Sequence, residues 1–320
     1  MQSSGIVLDV NSLYPSRMKY SPLPYGEPIY FEGKYEPDEN YPLYIQALSC
    51  EFQLRKGFLP TIQLKNNFLF NPVEYQERTL EGEPVALMLP NPDLELFQKH
   101  YEQDNLIYHY GWKFKASTLL FRDYVDYWDE MKEKAAKENN PGLRFIAKRM
   151  MNSLYGRFAI NPVCASKMPY LEDNIVKYKL LPKETRDPIY LPVGVFVTAW
   201  ARYLTINSAQ SVYNRFIYSD TDSLHLKGTE LPESLEIDPF RLGAWKHEST
   251  FTKAIFQRSK CYLEEIDGKM KVTCAGLPEY LHNQVTWENF KPGTSYHGKL
   301  TPEHVPGGIV LKEIDYSIKL

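Results

Sequence analysis

Cysteine is scarce in this chain, and the four that are present, Cys50, Cys164, Cys261 and Cys274, include no CxxC pair and no histidine at zinc spacing. That argues against a zinc finger and against a disulfide framework, and leaves four reduced, ordinary thiols as the expectation. A long apolar run is also missing: no stretch approaches the roughly 18 to 20 residues of a membrane-spanning helix. The opening MQSSGIVLDV has neither the basic start nor the cleavage site of a signal peptide. A soluble cytoplasmic protein with no membrane partner is expected. Excess positive charge is absent, with a formal net charge of −3 and a pI near 6.2. This excludes a uniformly basic nucleic-acid binder but not a local basic cleft. Internal repeats and low-complexity tracts are lacking too. What the chain does have is 43% hydrophobic and 14% aromatic residues over 320 positions, ample for one large domain or two to three modest ones.

The segment GIVLDVNSLYP reads as a buried strand that turns out at Asp9 and then meets a proline. Residues 21–117 are rich in Pro, Tyr and Gly, with alternating stretches such as YIQALSCEFQL and one helix, NPDLELFQKHYEQ, which suggests a small α+β insertion. FRDYVDYWDEMKEKAAKE has helical periodicity, NNPG breaks it, and LRFIAKRMMNSLYGRF resumes a helix closed by Gly156. A proline-punctuated connection over 161–192 is long for a loop and is expected to be functional or to carry a hairpin. GVFVTAWARYLTINSAQSVY has helix spacing, and strands with Gly turns follow.

In YSDTDS, Asp220 and Asp222 stand one residue apart between β-favouring FIY and LHL. On a strand or hairpin tip the two carboxylates are held together and repel. Two divalent ions resolve such repulsion, because magnesium takes a few carboxylates plus substrate phosphates, and a metal pair stabilises both oxygens of a phosphoryl transfer. Taken alone, the hexapeptide is equally a solvated turn. Lys148, Asn152 and Tyr155 fall at i, i+4 and i+7, on one helix face. A cation, an amide and an aromatic ring suit a nucleoside triphosphate; alone, the stripe is also an ordinary helix surface.

The combination DVNSLYP, KRMMNSLYG, YSDTDS and KCY, in this order, resembles the polymerase motifs of family B DNA polymerases, and more narrowly their protein-primed phage branch. SPLPYGEPI, NPDLELFQKHYE, GVFVTAWAR and AWKHESTF extend the resemblance over nearly the whole chain. It implies an α+β right-hand fold: an antiparallel palm sheet with helices over 1–20 and 192–274, helical fingers over 118–160, and a small β-rich thumb over 275–320. Two insertions of the protein-primed kind are implied, 21–117 facing a priming protein and the upstream duplex, and 161–191 serving processivity and strand displacement.

The resemblance also assigns roles. Asp9, Asp220 and Asp222 are the catalytic carboxylates; Asp9, Asp222 and the Val10 carbonyl hold two Mg²⁺ ions, for which Mn²⁺ substitutes, and Asp220 supports them. Tyr14 lies under the incoming sugar and excludes a 2′-hydroxyl, Lys148 and Lys132 hold the triphosphate, and Tyr155 with Asn152 floors the nascent base pair. Ser12, Gly156, Thr198, Arg202, Tyr218, Arg258, Lys260 and Tyr262 contact template or primer, largely through phosphates. The implied partners are template-primer DNA, dNTPs and a terminal priming protein, in the cytoplasm of a bacterial host.

Family members carry a 3′–5′ exonuclease domain upstream, whereas eight residues precede Asp9 here. No proofreading by this chain is expected, and a separate exonuclease subunit is one way to supply it. Two other functions fit the carboxylates: a two-metal nuclease or phosphohydrolase, and a non-catalytic DNA-binding module. A hydrolase has no use for Tyr14 or for the Lys148 to Tyr155 stripe.

Overall fold

The computed structural model describes residues 4–63, 75–172, 175–187, 189–298, 301–305, 308–312 and 315–318. In chain order, strand β1 (Gly5–Val10) leads into helix α1 (Leu13–Tyr20). Strands β2 (Leu23–Glu32), β3 (Leu43–Leu54) and β4 (Val85–Pro90), helix α2 (Asn91–His100) and strand β5 (Tyr101–Ser117) follow. Helices α3 (Arg122–Lys137) and α4 (Pro141–Phe158) precede the hairpin of β6 (Val163–Glu172) and β7 (Ile175–Thr185). Helix α5 (Leu191–Ser211) leads to β8 (Phe216–Asp220), β9 (Ser223–Lys227), β10 (Trp245–Arg258), β11 (Cys261–Ile266) and β12 (Lys269–Cys274). Short strands β13 (Ser295–His297), β14 (Thr301–Val305), β15 (Gly308–Lys312) and β16 (Asp315–Ser317) come last.

The chain divides into two compact units. The larger holds residues 6–160 and 189–249. In it, strands run in the order β10-β1-β9-β8, and a second, antiparallel sheet runs β2-β5-β3-β4. In β1, Ile6, Leu8 and Val10 share one side and are almost wholly buried against Leu224 and Leu226 of β9, Ala201 and Ala209 of α5, and Trp245. Each such aliphatic side chain contributes about 1.5–3 kcal/mol of burial. Strand alternation then turns Asp9 to the opposite side. A second cluster, with Met18, Met151, Val193 and Phe196 at its centre, packs α1, α4 and α5 together, and Tyr14 borders both clusters.

Helix α4 starts where the Asn140 side chain accepts the Leu143 N–H at 3.0 Å and Pro141 occupies the first turn, a matched cap. It does not close at Gly156. The helix runs on to Phe158, whose ring packs edge-on against Phe121 at 5.2 Å. That contact outweighs the roughly 1 kcal/mol that glycine costs in a helix interior. Helix α2 likewise stops at His100 rather than at Gln103. The Tyr101 ring is fully buried against Phe52 and Phe97, and its hydroxyl accepts the Thr61 N–H and donates to the Gln76 carbonyl, so these residues open β5 instead.

The smaller unit holds residues 161–188 and 250–320 with the first five. Its sheet runs β12-β11-β10, antiparallel throughout, and β6–β7, β13–β16 and β14–β15 are separate antiparallel pairs. Cys261, Leu263, Leu277, Leu281, Phe290 and Tyr296 are central to its core. All four cysteines are free thiols.

Candidate active site

Asp9 and the two hairpin aspartates are brought together by backbone. Asp220 ends β8 and pairs with Ser223 across a two-residue connection. Asp222 is therefore in the turn, not on a strand. Its N–H donates to the Asp220 carbonyl at 2.6 Å around Thr221, whose φ is +54°. A γ-turn around a β-branched residue with positive φ is rare and strained. The Asp222 carbonyl in turn accepts the Val10 N–H at 2.8 Å, which fixes the turn against the end of β1 one residue past Asp9.

That end is pinned from the other side too. The Asn11 N–H donates to the Ala244 carbonyl, its carbonyl accepts the Gly243 N–H, and its side-chain amide donates to the Asp238 carbonyl at 2.8 Å. Ser12 then opens α1 in the left-handed region, and its carbonyl accepts the Ser16 N–H.

Burial first, and then the carboxylate of Asp222, push Asp9 up to about 6 from an ordinary 3.8. Glu248 adds to the rise, while the ammonium groups of Lys246 and Lys148 pull against it. Burial and the neighbouring carboxylates thus outweigh the two cations at Asp9. Burial also raises Tyr14, with Tyr155 and then Asp222 adding to the effect. The rings of Tyr14 and Tyr155 stack with centroids 4.5 Å apart and planes 23° from parallel. Lys148 and Asn152 are exposed on α4, in register with the half-buried Tyr155. A stacked aromatic pair, a cation and carboxylates therefore share one unit.

Other expected site residues in this unit have intramolecular partners. Lys132 pairs with Asp129 one turn back. The Thr198 hydroxyl donates to the Gly194 and Val195 carbonyls of its own helix. Arg202 is bound by Asp93 of α2 through two parallel hydrogen bonds, Nε to Oδ1 at 3.0 Å and Nη2 to Oδ2. A phosphate would have to share that guanidinium. Tyr218 faces His225 across the β8–β9 pair. Gly156 is exposed, and a methyl group there would meet nothing within 4 Å. Arg258, Lys260 and Tyr262 belong to the smaller unit. Lys260 sits in the β10–β11 turn at φ +54°, and Tyr262 stacks on Phe256 at 5.3 Å.

Lys246 and Glu248 were not singled out from the sequence. They are ion-paired at 2.6 Å on β10, the strand beside β1, and both act on Asp9. The one available signal was their i, i+2 spacing in AWKHESTF. Asn11 and Asp93 were also missed, because their roles lie in contacts distant in sequence.

Among the described residues, no three His, Cys, Asp or Glu side chains stand together as a ligand set. The donors at hand are the carboxylates of Asp9 and Asp222, with backbone carbonyls beside them. This suits magnesium, which binds through one or two carboxylates and completes its shell with substrate phosphates and water. It does not suit a closed all-protein metal cage.

The architecture is that of a right-hand polymerase. The chain superposes on phi29 DNA polymerase in complex with primer-template DNA and incoming nucleotide substrates with a TM-score of 0.91, at 46% identity, covering 99% of this chain and 58% of that one. The family model for DNA polymerase type B, organellar and viral, matches residues 1–238. The DNA polymerase of Bacillus phage Nf is 48% identical over 338 aligned residues, and that of Streptococcus phage Cp-1 36% over 323. Each alignment takes in 98% of this chain, but only 58% and 56% of the relative. The chain belongs to the organellar and viral type B DNA polymerases. No described helix is long and apolar enough to cross a membrane.

Proposed function

We propose that this chain is the catalytic polymerase region of a phage replicase of the protein-primed kind, extending a primer from dNTPs on a DNA template. The observation that carries the reading is the meeting of Asp9 with the Asp222 turn, beside the Tyr14–Tyr155 stack and Lys148. Two Mg²⁺ ions, or Mn²⁺ in their place, held by Asp9, Asp222 and the Val10 carbonyl with Asp220 in support, would supply positive charge to the reacting oxygens. The chain's own groups do the rest. Lys148, assisted by Lys132, holds the triphosphate. Tyr14 closes the space a 2′-hydroxyl would need, and Tyr155 with Asn152 supports the nascent pair. Catalysis then comes from charge and positioning, without a covalent enzyme intermediate.

In this reading residues 1–20 and 192–274 form the palm, 118–160 the fingers and 275–320 the thumb. The region 21–117 faces a terminal protein and the upstream duplex, and 161–191 supports strand displacement. Ser12, Gly156, Thr198, Arg202, Tyr218, Arg258, Lys260 and Tyr262 hold template and primer. The phage origin of the relatives supports action in the bacterial cytoplasm.

Primer extension with labelled dNTPs and Mg²⁺ tests this directly, comparing the chain with Asp222→Ala. Extension that the substitution abolishes, with DNA binding kept, is the expected result. Primer degradation without synthesis would mark a two-metal nuclease, and DNA retardation with neither activity a binding module.

A further inference from the structure

We propose that Cys261 and Cys274 are a peroxide-responsive thiol pair that closes to a disulfide across the β11–β12 hairpin. The two residues are register partners at the open end of that hairpin, and their sulfurs are 3.3 Å apart. One step further along the same register, the Ala275 N–H donates to the Lys260 carbonyl at 2.7 Å. Hydrogen-bonded and non-bonded sites alternate along an antiparallel pair, so Cys261 and Cys274 occupy a non-bonded site. There, facing Cα atoms are about 4.5 Å apart and side chains are closest. That separation lies within the window of about 4.4–6.8 Å that a disulfide needs. The sulfurs reach bonding distance by small side-chain rotations.

The pair is asymmetric. Cys261 is wholly buried. Cys274 is half-exposed and lines a cavity of about 210 Å³ together with Arg258, Gly276, Tyr296 and Tyr316. One water takes about 30 Å³ of liquid, so the cavity has room for a peroxide molecule beside Cys274. The S–H···S contact with Cys261 and the nearby Arg258 guanidinium lower Cys274, against the burial that raises it. The same hydrogen bond, with burial, raises Cys261 and keeps it protonated. An accessible thiolate next to a protected thiol is the arrangement of an attacking and a resolving cysteine. Cys50, by contrast, is buried and pushed up to about 11. Two sulfurs with no further ligand group among the described residues are too few for structural zinc, so oxidation rather than metal binding is the chemistry they fit.

In the first step the Cys274 thiolate attacks one oxygen of hydrogen peroxide and the O–O bond breaks. A sulfenic acid forms, and the departing hydroxide takes up the proton that the thiol had released. In the second step the Cys261 sulfur attacks the Cys274 sulfur, the S–O bond breaks, and hydroxide leaves as water with the Cys261 proton. Capping Cys274 removes the negative charge that had held that proton in place. Two thiols are oxidised by two electrons, and one peroxide becomes two waters. The new bond ties β12 to the residue between Lys260 and Tyr262.

The full chain, reduced and then exposed to hydrogen peroxide and quenched with catalase, is denatured and its thiols alkylated. Of the four cysteines, two are expected to become unreactive and to recover on reduction with dithiothreitol, and peptide mapping is expected to join residues 261 and 274. In Cys261→Ser, Cys274 is expected to advance instead to the sulfinic acid, and in Cys274→Ser, Cys261 should remain alkylatable. Four reactive thiols after treatment, a bond involving Cys50 or Cys164, or over-oxidation of Cys274 in the unsubstituted chain would each overturn the proposal. The decisive measurement is on the unsubstituted protein and does not depend on a variant folding.

Discussion

Replacing Asp9 by asparagine is expected to stabilise the metal-free protein while abolishing extension. Asp9 rises from 3.8 to about 6 because the fold removes water from it and sets Asp222 beside it. A folded value above the unfolded one means that the folded chain retains a proton the unfolded chain has released, so stability falls as pH climbs from about 4 to about 6. Above that window the penalty is complete. Undiluted, the rise corresponds to about 3 kcal/mol. The side chain is only half-buried, and solvent screening brings this to about 1–2 kcal/mol. Asn has nearly the same shape and no charge, so it removes the penalty and leaves the packing of Leu8 and Val10 alone. Urea unfolding in the presence of a chelator, followed by tryptophan fluorescence, should show a higher midpoint and unchanged slope for Asp9→Asn at pH 8. The advantage should shrink at pH 4.5, shrink further at pH 4 and nearly vanish by about pH 3. A variant no more stable than the parent at pH 8, or a gain independent of pH, would refute the electrostatic account.

Removing the Tyr14 ring should relax sugar discrimination. Tyr14→Val is expected to raise ribonucleotide incorporation relative to dNTP use by about tenfold or more, the effect of about 1.4 kcal/mol; unchanged selectivity in competitive extension would take Tyr14 out of that role. Gly243, at φ +82°, donates to the Asn11 carbonyl, and a Cβ there would lie 2.9 Å from the Cβ of Ser16. Gly57 has φ +84° but open space around it. Gly57→Ala should therefore cost only about 1 kcal/mol for the left-handed backbone, and Gly243→Ala about 1–3 kcal/mol more through overpacking, with lowered extension because the end of β1 moves. Equal unfolding midpoints for the two variants would show that the clash is relieved without consequence.

Elements with a local signature were legible in the sequence. GIVLDV is short, apolar and ends at a polar exit, α4 starts at an Asn-Pro cap, and the β8–β9 hairpin shows two β-favouring runs around Asp and Thr. Element ends were less so. Gly156 suggested a stop that the Phe158–Phe121 contact overrides, and Tyr101 left a helical pattern for the aromatic cluster that buries it. At the site, spacing alone could put Lys148, Asn152 and Tyr155 on one stripe, but nothing local linked Asp9 to Asp222. Three aspartates at strand ends allow convergence on metal without requiring it, resemblance makes it expected, and in the fold it is one backbone hydrogen bond between residues far apart in the chain. Lys246, Glu248, Asn11 and Asp93 stayed unread for the same reason. Each acts through a strand neighbour or a helix contact that only the folded chain creates.

The backbone carries a further regularity that residue identity could not reveal. Among the described residues, six that are not glycine have positive φ: Ser12, Asn105, Asn139, Thr221, Lys260 and Asp267. Asn and Asp tolerate this region better than other residues, so Asn139 and Asp267 in turns and Asn105 at an irregularity within β5 are unremarkable. The other three, Ser12, Thr221 and Lys260, are residue types that enter this region less readily, and each falls inside one of the motifs DVNSLYP, YSDTDS and KCY. Strain of this sort costs about 1–3 kcal/mol per residue and persists only where surrounding contacts over-determine it. Around Ser12 and Thr221 those contacts are on view: the Asn11 bonds to Asp238, Gly243 and Ala244, and the Val10 to Asp222 bond. Repulsion at Asp9 and strain at Thr221 are therefore concentrated at one place and held there by hydrophobic burial beneath β1. A fold selected for stability alone would have relaxed both.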